Sequence, residues 1–202
     1  MVAGAILAGG GATRFGGAPK GLERVGGERI VDRLANILAV ALGAPPLLVA
    51  NAPDAATWGT GLRIVADTVP GAGSLGGILT AVAEAPAPVV CVAWDMPFVS
   101  APLVRALAAG LDSADVCLPE SGGRRGVEPL CGAYGPACRA AIEARIAAGD
   151  LRAIGFHGAV RTSILPSDYV RTFGDPGVLF FNVNTAEDLA EAEELWRRAS
   201  SP

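Results

Sequence analysis

Charged residues and long apolar runs are both scarce in this 202-residue chain. Charged residues make up 18% of it, the net charge is −4, and lysine and arginine form no extended basic run. A surface that follows a nucleic-acid backbone is therefore not expected. The longest apolar run is far shorter than the ~20 residues that span a membrane, and the N-terminus lacks the charged start of a signal peptide. We expect a cytoplasmic protein that binds neither nucleic acid nor membrane.

Cysteine and histidine are also scarce, and their spacing argues against several kinds of site. The four cysteines show no C-x-x-C spacing, which disfavours both a zinc site and a disulfide framework. Three of them lie in apolar stretches, as expected for small buried side chains. The single histidine, His157, lies outside every motif in the sequence, so we assign it no catalytic role.

What the chain does contain is an alternation of apolar strands and amphipathic helices. Short apolar runs bounded by glycine, proline or polar residues predict strands at 2–8, 46–50, 62–66 and 89–93. Apolar residues at helical spacing predict helices within 30–42, 75–82, 103–111 and 137–148, and a capping-box pattern at Thr185 and Asp188 predicts a last helix. With 51% apolar residues, residues 1–202 are expected to form one three-layer α/β domain with a mostly parallel sheet.

Polar and glycine residues follow each of the four predicted strands. Gly9, Asn51, Asp67 and Asp95 all stand where a strand ends or just after it. The carboxyl ends of parallel strands share one edge of a sheet, and ligands of open α/β sheets bind there. The sequence therefore predicts a binding site that combines a glycine loop, an amide and two carboxylates.

The glycine-rich loop after the first strand has the chemistry of a phosphate-binding loop. Glycines allow backbone N–H groups to approach an anion closely. The loop matches neither the Walker pattern nor the dinucleotide-binding pattern, but it places the cations of Arg14 and Lys20 among its glycines. Such cations suit a triphosphate and the charge that develops during phosphoryl transfer. A simple turn with solvated charges is the alternative.

Five segments of the chain resemble the motifs of one enzyme family, the MobA-like nucleotidyltransferases. The first is LAGGGATRFGGAPK (7–20), and the others are GSLGGI (73–78), WDMPF (94–98), EPLCGAY (128–134) and FFNVNTAEDL (180–189). Within the family, the chain most resembles the molybdenum cofactor guanylyltransferases. Ser74 and Ala186 stand where the family usually has proline, and Trp94 stands where it has cysteine.

The resemblance implies a Rossmann-like nucleotidyltransferase fold and a defined reaction. In that reaction GMP is transferred from GTP to the terminal phosphate of molybdenum–molybdopterin, and pyrophosphate is released. The phosphate that attacks is already anionic, so the absence of a catalytic triad fits this chemistry. Cofactor-delivery proteins or apo-molybdoenzymes are further partners that the resemblance implies.

The resemblance also implies roles at the phosphates. Asp95 is expected to hold Mg²⁺, which typically takes one or two carboxylates together with substrate phosphates. Arg14 and Lys20 are expected to neutralise the triphosphate and the departing pyrophosphate. A turn before Pro97 is the structural alternative for Asp95.

The remaining expected contacts surround the base, the ribose and the pterin. Main-chain contacts to the nucleotide are implied for Leu7, Ala8, Gly9 and Gly10. Asn51 and Asp67 are expected near the base or ribose, although strand-end turns would also explain them. Asn182 and Asn184 lie in a strand-like stretch whose alternation puts both on one face, and the resemblance suggests a role beside the pterin or the metal. Capping of the last helix is the alternative for Asn184.

Two other functions remain open at this point. A related nucleotidyltransferase would use the same loop and metal with CTP as donor or with another phosphorylated acceptor. The residues LAGG favour guanine over cytosine, by resemblance alone. A catalytically silent nucleotide-binding module is the second alternative, and the joint presence of Arg14, Lys20 and Asp95 argues against it.

Overall fold

The computed structural model describes residues 1–9, 19–123 and 126–200, and it places nine strands and seven helices in them. The strands are β1 (Ala3–Ala8), β2 (Arg24–Val25), β3 (Glu28–Arg29), β4 (Leu47–Ala50), β5 (Ile64–Val65), β6 (Val89–Ala93), β7 (Val116–Pro119), β8 (Cys131–Tyr134) and β9 (Thr162–Leu165). The helices are α1 (Ile30–Leu42), α2 (Gly73–Glu84), α3 (Ala101–Gly110), α4 (Cys138–Ala147), α5 (Ser167–Arg171), α6 (Pro176–Leu179) and α7 (Ala186–Ser200).

Seven of these strands form one sheet in the order β5-β4-β1-β6-β8-β7-β9. All neighbours pair in parallel except β8, which is antiparallel to both β6 and β7. The strands β2 and β3 form a separate hairpin. The prediction of a mostly parallel sheet is therefore confirmed.

Alternate residues of the central strands bury two different helix layers. Ile6 of β1 faces the cluster that contains Leu34 of α1 and Leu103 of α3. Its neighbour Leu7 faces the opposite cluster, which contains Leu79 of α2. Since successive side chains of a strand point to opposite faces, this alternation produces the three-layer arrangement that the sequence predicts.

The four predicted strands are all present, with small differences at their ends. The run 89–93 matches β6, whereas the predicted strand 62–66 shortens to two residues in β5, at the edge of the sheet. Edge strands in native proteins are often this short. The strands β7, β8 and β9 have no counterpart among the predicted strands.

The strand-like interpretation of the stretch around Asn182 and Asn184 is wrong. The helix α6 precedes it, and residues 181–184 have no regular secondary structure. Their hydrogen bonds go elsewhere: the N–H of Val183 donates to the carbonyl of Asp95 at 2.8 Å, and the N–H of Asn184 donates to the carboxylate of Asp188 at 2.8 Å. At Val183 and Asn184, bonds to a turn and to a helix start therefore take the place of pairing with a strand.

The last helix begins with the predicted capping box. The hydroxyl of Thr185 accepts from the N–H of Asp188 at 3.1 Å, and the carboxylate of Asp188 accepts in return from the N–H of Thr185 at 2.9 Å. These bonds satisfy backbone groups that a helix start leaves free. The capping role that was open for Asn184 therefore belongs to Thr185.

The last helix is fixed to the β2–β3 hairpin by Trp196. Its ring lies 3.8 Å from the guanidinium carbon of Arg33 in α1, and it also covers Gly26, at which a Cβ atom would lie only 2.1 Å from the indole nitrogen. Gly26 has a φ of 61°, and its N–H donates to the carboxylate of Glu193 at 3.0 Å. The hairpin that follows Lys20 in the chain thus rests on the C-terminal helix.

All four cysteines are buried and free. Burial raises the pKa of Cys117 to about 11 and that of Cys138 to about 12, and it raises the pKa values of Cys91 and Cys131 further still. Within the described ranges, every helix is too short or too polar to span a bilayer.

Candidate active site

A cavity of about 280 Å³ opens at the carboxyl ends of β1, β4, β5 and β6. Its lining residues come from these strand ends, the start of α2 and two more distant segments: Leu7, Gly9, Lys20, Val49, Asn51, Asp67, Gly73, Ser74, Gly77, Ala93, Asp95, Leu130 and Asn184. The prediction that polar residues after separate strands meet at one edge of the sheet is confirmed.

The strand register explains why these side chains meet. Leu7 of β1 pairs with Val49 of β4 on one side and with Ala93 of β6 on the other, so the three residues stand at one level of the sheet. They supply apolar wall to the cavity, and Gly9, Asn51 and Asp95 each follow two residues later. Parallel pairing therefore turns separate positions in the sequence into one site.

Lys20 is the only lysine in the sequence, and it is buried. It starts a short 3-10 turn, Lys20–Leu22, and its Nζ donates a 2.7 Å hydrogen bond to Oδ1 of Asn184. The residue is only 7% exposed although it borders the cavity. Among the described residues the hydrogen-bond partner of this ammonium group is a neutral amide, so the group retains donors for an anionic ligand.

Asp95 contributes a carboxylate oxygen that is buried and lacks a hydrogen-bond partner in the described part of the chain. Burial raises the pKa of this carboxyl group above its ordinary value, while the charge of Lys20 and the backbone N–H of Asp95 oppose that rise. A buried oxygen without a donor is costly. A cation at this position would offset that cost, since carboxylate oxygen is a preferred ligand of Mg²⁺.

Asn51 and Asp67 form a reciprocal pair at the other side of the cavity. Nδ2 of Asn51 donates to Oδ2 of Asp67 at 2.6 Å, and the N–H of Asp67 donates to Oδ1 of Asn51 at 2.7 Å. The two bonds fix both side chains across β4 and β5. One oxygen of the Asp67 carboxylate takes no part in the pair and is available to accept from a ligand.

The first turn of α2 also borders the cavity, through Gly73 and Ser74. A helix start carries free N–H groups and a partial positive charge, which favour an anion nearby. Gly73 has a φ of 59°, a conformation that favours glycine. The N-terminus of this 12-residue helix therefore contributes a partial positive charge to the cavity, in addition to the full charge of Lys20.

The cavity gathers most of the residues that the sequence predicts for the site. Seven of them line it: Leu7, Gly9, Lys20, Asn51, Asp67, Asp95 and Asn184. Ala8 is buried beside them and does not line the cavity, while Gly10 and Arg14 lie outside the described residues. The predictions missed Val49, Gly73, Ser74, Ala93 and Leu130 as lining residues, although Gly73 and Ser74 lie in the motif GSLGGI and Leu130 lies in EPLCGAY.

Asn182 and Asn184 border different cavities, contrary to the expectation that they share one face. Asn184 lines the first cavity, whereas Asn182 lines a second one of about 690 Å³ and donates to the carbonyl of Phe180 at 2.8 Å. The cause is the irregular backbone of residues 181–184, which does not alternate as a strand does. The segment from Asn182 to Asn184 therefore contributes to both cavities.

The second cavity carries charges of both signs. Glu120, Glu128 and Asp175 are among its lining residues, together with the cation of Arg171. Two of the carboxylates also accept backbone N–H groups: Glu120 accepts from Ser167 at 2.6 Å, and Asp175 from Gly177 at 2.8 Å. Such fixed polar groups suit a polar ligand.

Asp95 is not part of a ready-made cluster of metal ligands. Among residues 1–9, 19–123 and 126–200, no group of three or more His, Cys, Asp or Glu side chains converges to hold a metal ion. A metal at Asp95 would therefore have to obtain its other ligands from substrate phosphates and water, an arrangement that Mg²⁺ commonly adopts.

The comparisons with known proteins agree with this geometry. The model of the MobA-like NTP transferase domain matches residues 4–160. The chain is 34% identical to the probable molybdenum cofactor guanylyltransferase of Pelotomaculum thermopropionicum, over 95% of this chain and 92% of that protein. It is 35% identical to the molybdenum cofactor guanylyltransferase of Bradyrhizobium sp. (strain ORS 278), over 96% and 92%.

A solved structure shares the fold. Molybdopterin-guanine dinucleotide biosynthesis protein A from Archaeoglobus fulgidus superposes with a TM-score of 0.81 over 98% of this chain and 100% of the other, at 23% identity. The three-layer α/β arrangement, with its cavity at the carboxyl ends of the parallel strands, defines a nucleotidyltransferase fold of the Rossmann-like type. The chain belongs to the MobA-like NTP transferase domain family.

Proposed function

We propose that this enzyme transfers GMP from GTP to the terminal phosphate of molybdenum–molybdopterin and releases pyrophosphate. The observation that carries the proposal is the meeting of Lys20, Asp95 and the Asn51–Asp67 pair in one cavity, with an oxygen of Asp95 buried and unpartnered in the described part of the chain. The curated relatives at 34% and 35% identity, both named as guanylyltransferases, support the choice of donor and acceptor.

The base of the donor is proposed to lie beside Asp67. Guanine presents an N–H and an amino group side by side, and the oxygen of Asp67 that takes no part in the Asn51 pair can accept from one of these donors. Because Asn51 holds Oδ2 of Asp67 at 2.6 Å, the carboxylate is fixed before the nucleotide arrives. Leu7 and Val49 offer apolar contact to a base, and the main chain of Leu7, Ala8, Gly9 and Gly10 is proposed to contact the nucleotide.

The triphosphate is proposed to lie between Lys20 and the start of α2. Lys20 is buried and tied to Asn184, so little reorganisation is needed when charge develops on the departing pyrophosphate. Arg14 is proposed to add a second cation from the loop that precedes Lys20. Placing positive charge where negative charge grows is the main source of catalysis in phosphoryl transfer.

Asp95 is proposed to hold Mg²⁺, and its buried, unpartnered oxygen fits a cation. The single protein carboxylate suits a metal that also takes ligands from the triphosphate. When bound, Mg²⁺ would neutralise phosphate charge and help to orient the α-phosphate. Asp95 is held for this task through its carbonyl, which accepts from the N–H of Val183 at 2.8 Å.

The acceptor is proposed to approach past residues 182–184. Asn182 borders the second cavity, which would hold the pterin, and Asn184 borders the cavity of the triphosphate. A phosphate oxygen of the acceptor would attack the α-phosphorus in line, forming one P–O bond while the bond between the α-phosphorus and the bridging oxygen breaks. The attacking oxygen is already anionic, so no general base is required.

Three further expectations remain predictions under this proposal. Residues 1–202 are proposed to act as one domain. Cofactor-delivery proteins or apo-molybdoenzymes are proposed as transient partners. A cytoplasmic location is the expected setting for the reaction.

The proposal is tested by the choice of donor. Purified protein is mixed with Mg²⁺, molybdenum–molybdopterin and GTP, CTP, ATP or UTP in parallel, and pyrophosphate release is followed. We expect release with GTP and a loss of at least about 100-fold in Asp95→Asn, since removal of one charged transition-state contact costs about this much. Asp112→Asn is the matched control, because Asp112 is exposed and follows α3, away from the cavity.

Each other outcome has a defined meaning. Release with CTP alone would make the protein a cytidylyltransferase with the same site. Binding of GTP without release under any condition would favour the silent nucleotide-binding module. Equal activity in Asp95→Asn and Asp112→Asn would overturn the role of Asp95.

A further inference from the structure

The indole ring of Trp94 lies directly against the main chain of Gly21, the residue after Lys20. A Cβ atom added at Gly21 would lie 2.3 Å from Cε3 and 2.7 Å from Cδ2 of that ring. The φ of Gly21 is outside the left-handed region, so the backbone conformation does not require glycine. Glycine is therefore required at this position by the closeness of the ring.

Trp94 has little room to move away from Gly21. The residue is 3% exposed, and its ring stacks on that of Trp58 with a centroid distance of 5.2 Å and an angle of 25° between the ring planes. Trp58 is itself buried, and its carbonyl accepts from Arg29 at 2.6 Å. Closely packed interiors transmit a displacement rather than absorb it, so the position of the ring fixes that of Gly21.

The residue after Trp94 fixes the other partner of Lys20. The carbonyl of Asp95 accepts from the N–H of Val183 at 2.8 Å, and Asn184, the next residue, accepts from Nζ of Lys20. Val183 is fully buried. Residues 94 and 95 therefore hold both ends of the Lys20–Asn184 hydrogen bond, one end through an aromatic ring and the other through a carbonyl.

We infer that Trp94 is a positioning residue, which sets the place of the Lys20 ammonium group in the cavity by supporting Gly21. The inference rests on the phosphate-binding role proposed for Lys20. Trp94 need not touch the nucleotide for this purpose. Displacement of a reacting group by about 1 Å can lower a rate by about 100-fold, so a supporting ring of this kind matters for turnover.

The first test measures the environment of the Lys20 side chain directly and needs no substrate. Because Lys20 is the only lysine, protein labelled with ¹³C at the lysine Cε gives one side-chain signal in an NMR spectrum. Gly21→Ala is expected to move that signal, because the added methyl group and the ring cannot occupy the same space. Gly110→Ala is the matched control: its Cβ would lie 2.2 Å from Sγ of Cys117, a similar clash in a buried region that does not line the cavity.

A compensating change separates positioning from general damage. Trp94→Leu alone is expected to move the lysine signal, because Gly21 loses the ring that supports it. In Gly21→Ala combined with Trp94→Leu the methyl group occupies part of the space that the ring leaves, so the signal is expected to return toward its original place. The free energy of unfolding of each variant is measured by urea denaturation in parallel. If the signal stays fixed in Gly21→Ala, or moves equally in Gly110→Ala, the inference is wrong.

The second test asks whether the effect on turnover passes through Lys20. Gly21→Ala is expected to lower kcat/KM for GTP by about 30-fold or more, mainly in kcat, and Gly110→Ala by less than about 2-fold, given the cost of a misplaced group. In a Lys20→Met background, Gly21→Ala should lower kcat/KM for GTP by less than about 3-fold, because the ammonium group that Gly21→Ala displaces is absent. An equal loss in both backgrounds would overturn the inference.

Failure of the proposed function would be recognised separately. If the original protein releases no pyrophosphate from GTP, the reaction assigned above is wrong, while the NMR signal of Lys20 still decides whether Trp94 positions it. If GTP is turned over but Gly21→Ala does not move the NMR signal of Lys20, the proposed reaction is supported and the positioning role of Trp94 is wrong.

Discussion

The amide oxygen of Asn184 lies 2.7 Å from the ammonium nitrogen of Lys20, and the two residues are 164 positions apart in the sequence. Lys20, near the N-terminus, and Asn184, just before the C-terminal helix, thus meet in one hydrogen bond. The carboxylate of Asp188 fixes the N–H of Asn184 from the helix side. The C-terminal helix therefore belongs to the architecture of the site.

Substitutions at Asn184 are predicted to separate stability from activity. Asn184→Asp should raise the free energy of unfolding, because a carboxylate pairs more strongly with the buried ammonium group. It should also lower kcat/KM for GTP by about 10-fold or more, because the new charge competes with the phosphates for Lys20. Urea denaturation and steady-state kinetics measure the two effects. Asn184→Ala should lower kcat/KM for GTP as well as the free energy of unfolding. The loss of a hydrogen bond to a charged group should lower the free energy of unfolding by about 1.5–3 kcal/mol.

Asn182→Ala is the matched comparison for this prediction. Asn182 borders the second cavity, so its removal is expected to raise the KM for the pterin acceptor and to leave the KM for GTP unchanged. A rise in the KM for GTP alone would contradict the division between the two cavities.

Asp67→Asn is predicted to change the choice of donor nucleotide. It should lower kcat/KM for GTP by about 10- to 100-fold, because a site built to hydrogen-bond a substrate discriminates strongly once a partner is lost. The low activity with CTP or ATP should change by less than about 3-fold. The ratio of kcat/KM values for GTP and CTP is the measurement, and an equal fall for all four nucleotides would instead assign Asp67 a structural role.

His157 is predicted to make the fold less stable in mild acid. Burial lowers the pKa of this histidine from 6.5 to about 4, and its Nε2 has no partner among the described residues. As the pH falls below 6.5 the unfolded chain takes up the proton first, so stability is lost between about pH 6.5 and pH 4. The full shift would be about 3 kcal/mol, and partial exposure of the ring reduces the expected loss to about 1–2 kcal/mol.

The comparison of His157→Phe with the original protein measures this loss. Urea denaturation of both at pH 7.5 and at pH 5 should show a smaller decrease in the variant. Carboxylates that titrate in the same range affect both proteins equally. An identical pH dependence of the two proteins would show that His157 does not contribute.

Trp196→Leu is predicted to loosen the contact between the C-terminal helix and the hairpin. The variant loses the cation–π contact with Arg33 at 3.8 Å and part of the apolar contact of a half-buried ring, at a cost of about 1–3 kcal/mol. Trp196→Phe should cost less, because a ring remains over the guanidinium group. Urea denaturation measures both, and equal losses in the two variants would show that the cation–π contact adds nothing.

The sequence predicts the main part of the fold because its strongest signals are local. The apolar run 89–93 and the helical spacing over 30–42 coincide with β6 and α1, since each element is long or apolar enough to be recognised alone. The capping pair Thr185 and Asp188 is equally local. The site follows from the fold, because parallel strands bring Asn51, Asp67 and Asp95 to one edge.

Other features depend on contacts that a single sequence does not display. The strands β7, β8 and β9 are short and bear no clear alternation, and β8 is stabilised by its place between β6 and β7. Asn182 and Asn184 show the limit most clearly: their spacing of two is typical of a strand, yet bonds to Asp95 and Asp188 hold the backbone between them in another shape. Partners distant in the sequence decide such segments.

The burial of all four thiols gives this protein a practical property. Cysteines with a pKa of about 11 or higher carry almost no thiolate at neutral pH, and thiolate is the form that reacts with alkylating reagents. A single cysteine introduced at the exposed position Ser74, on the rim of the cavity, would then be the one site that a maleimide dye labels. The native cysteines would therefore not interfere with a fluorescent dye that is attached at this position to report ligand binding.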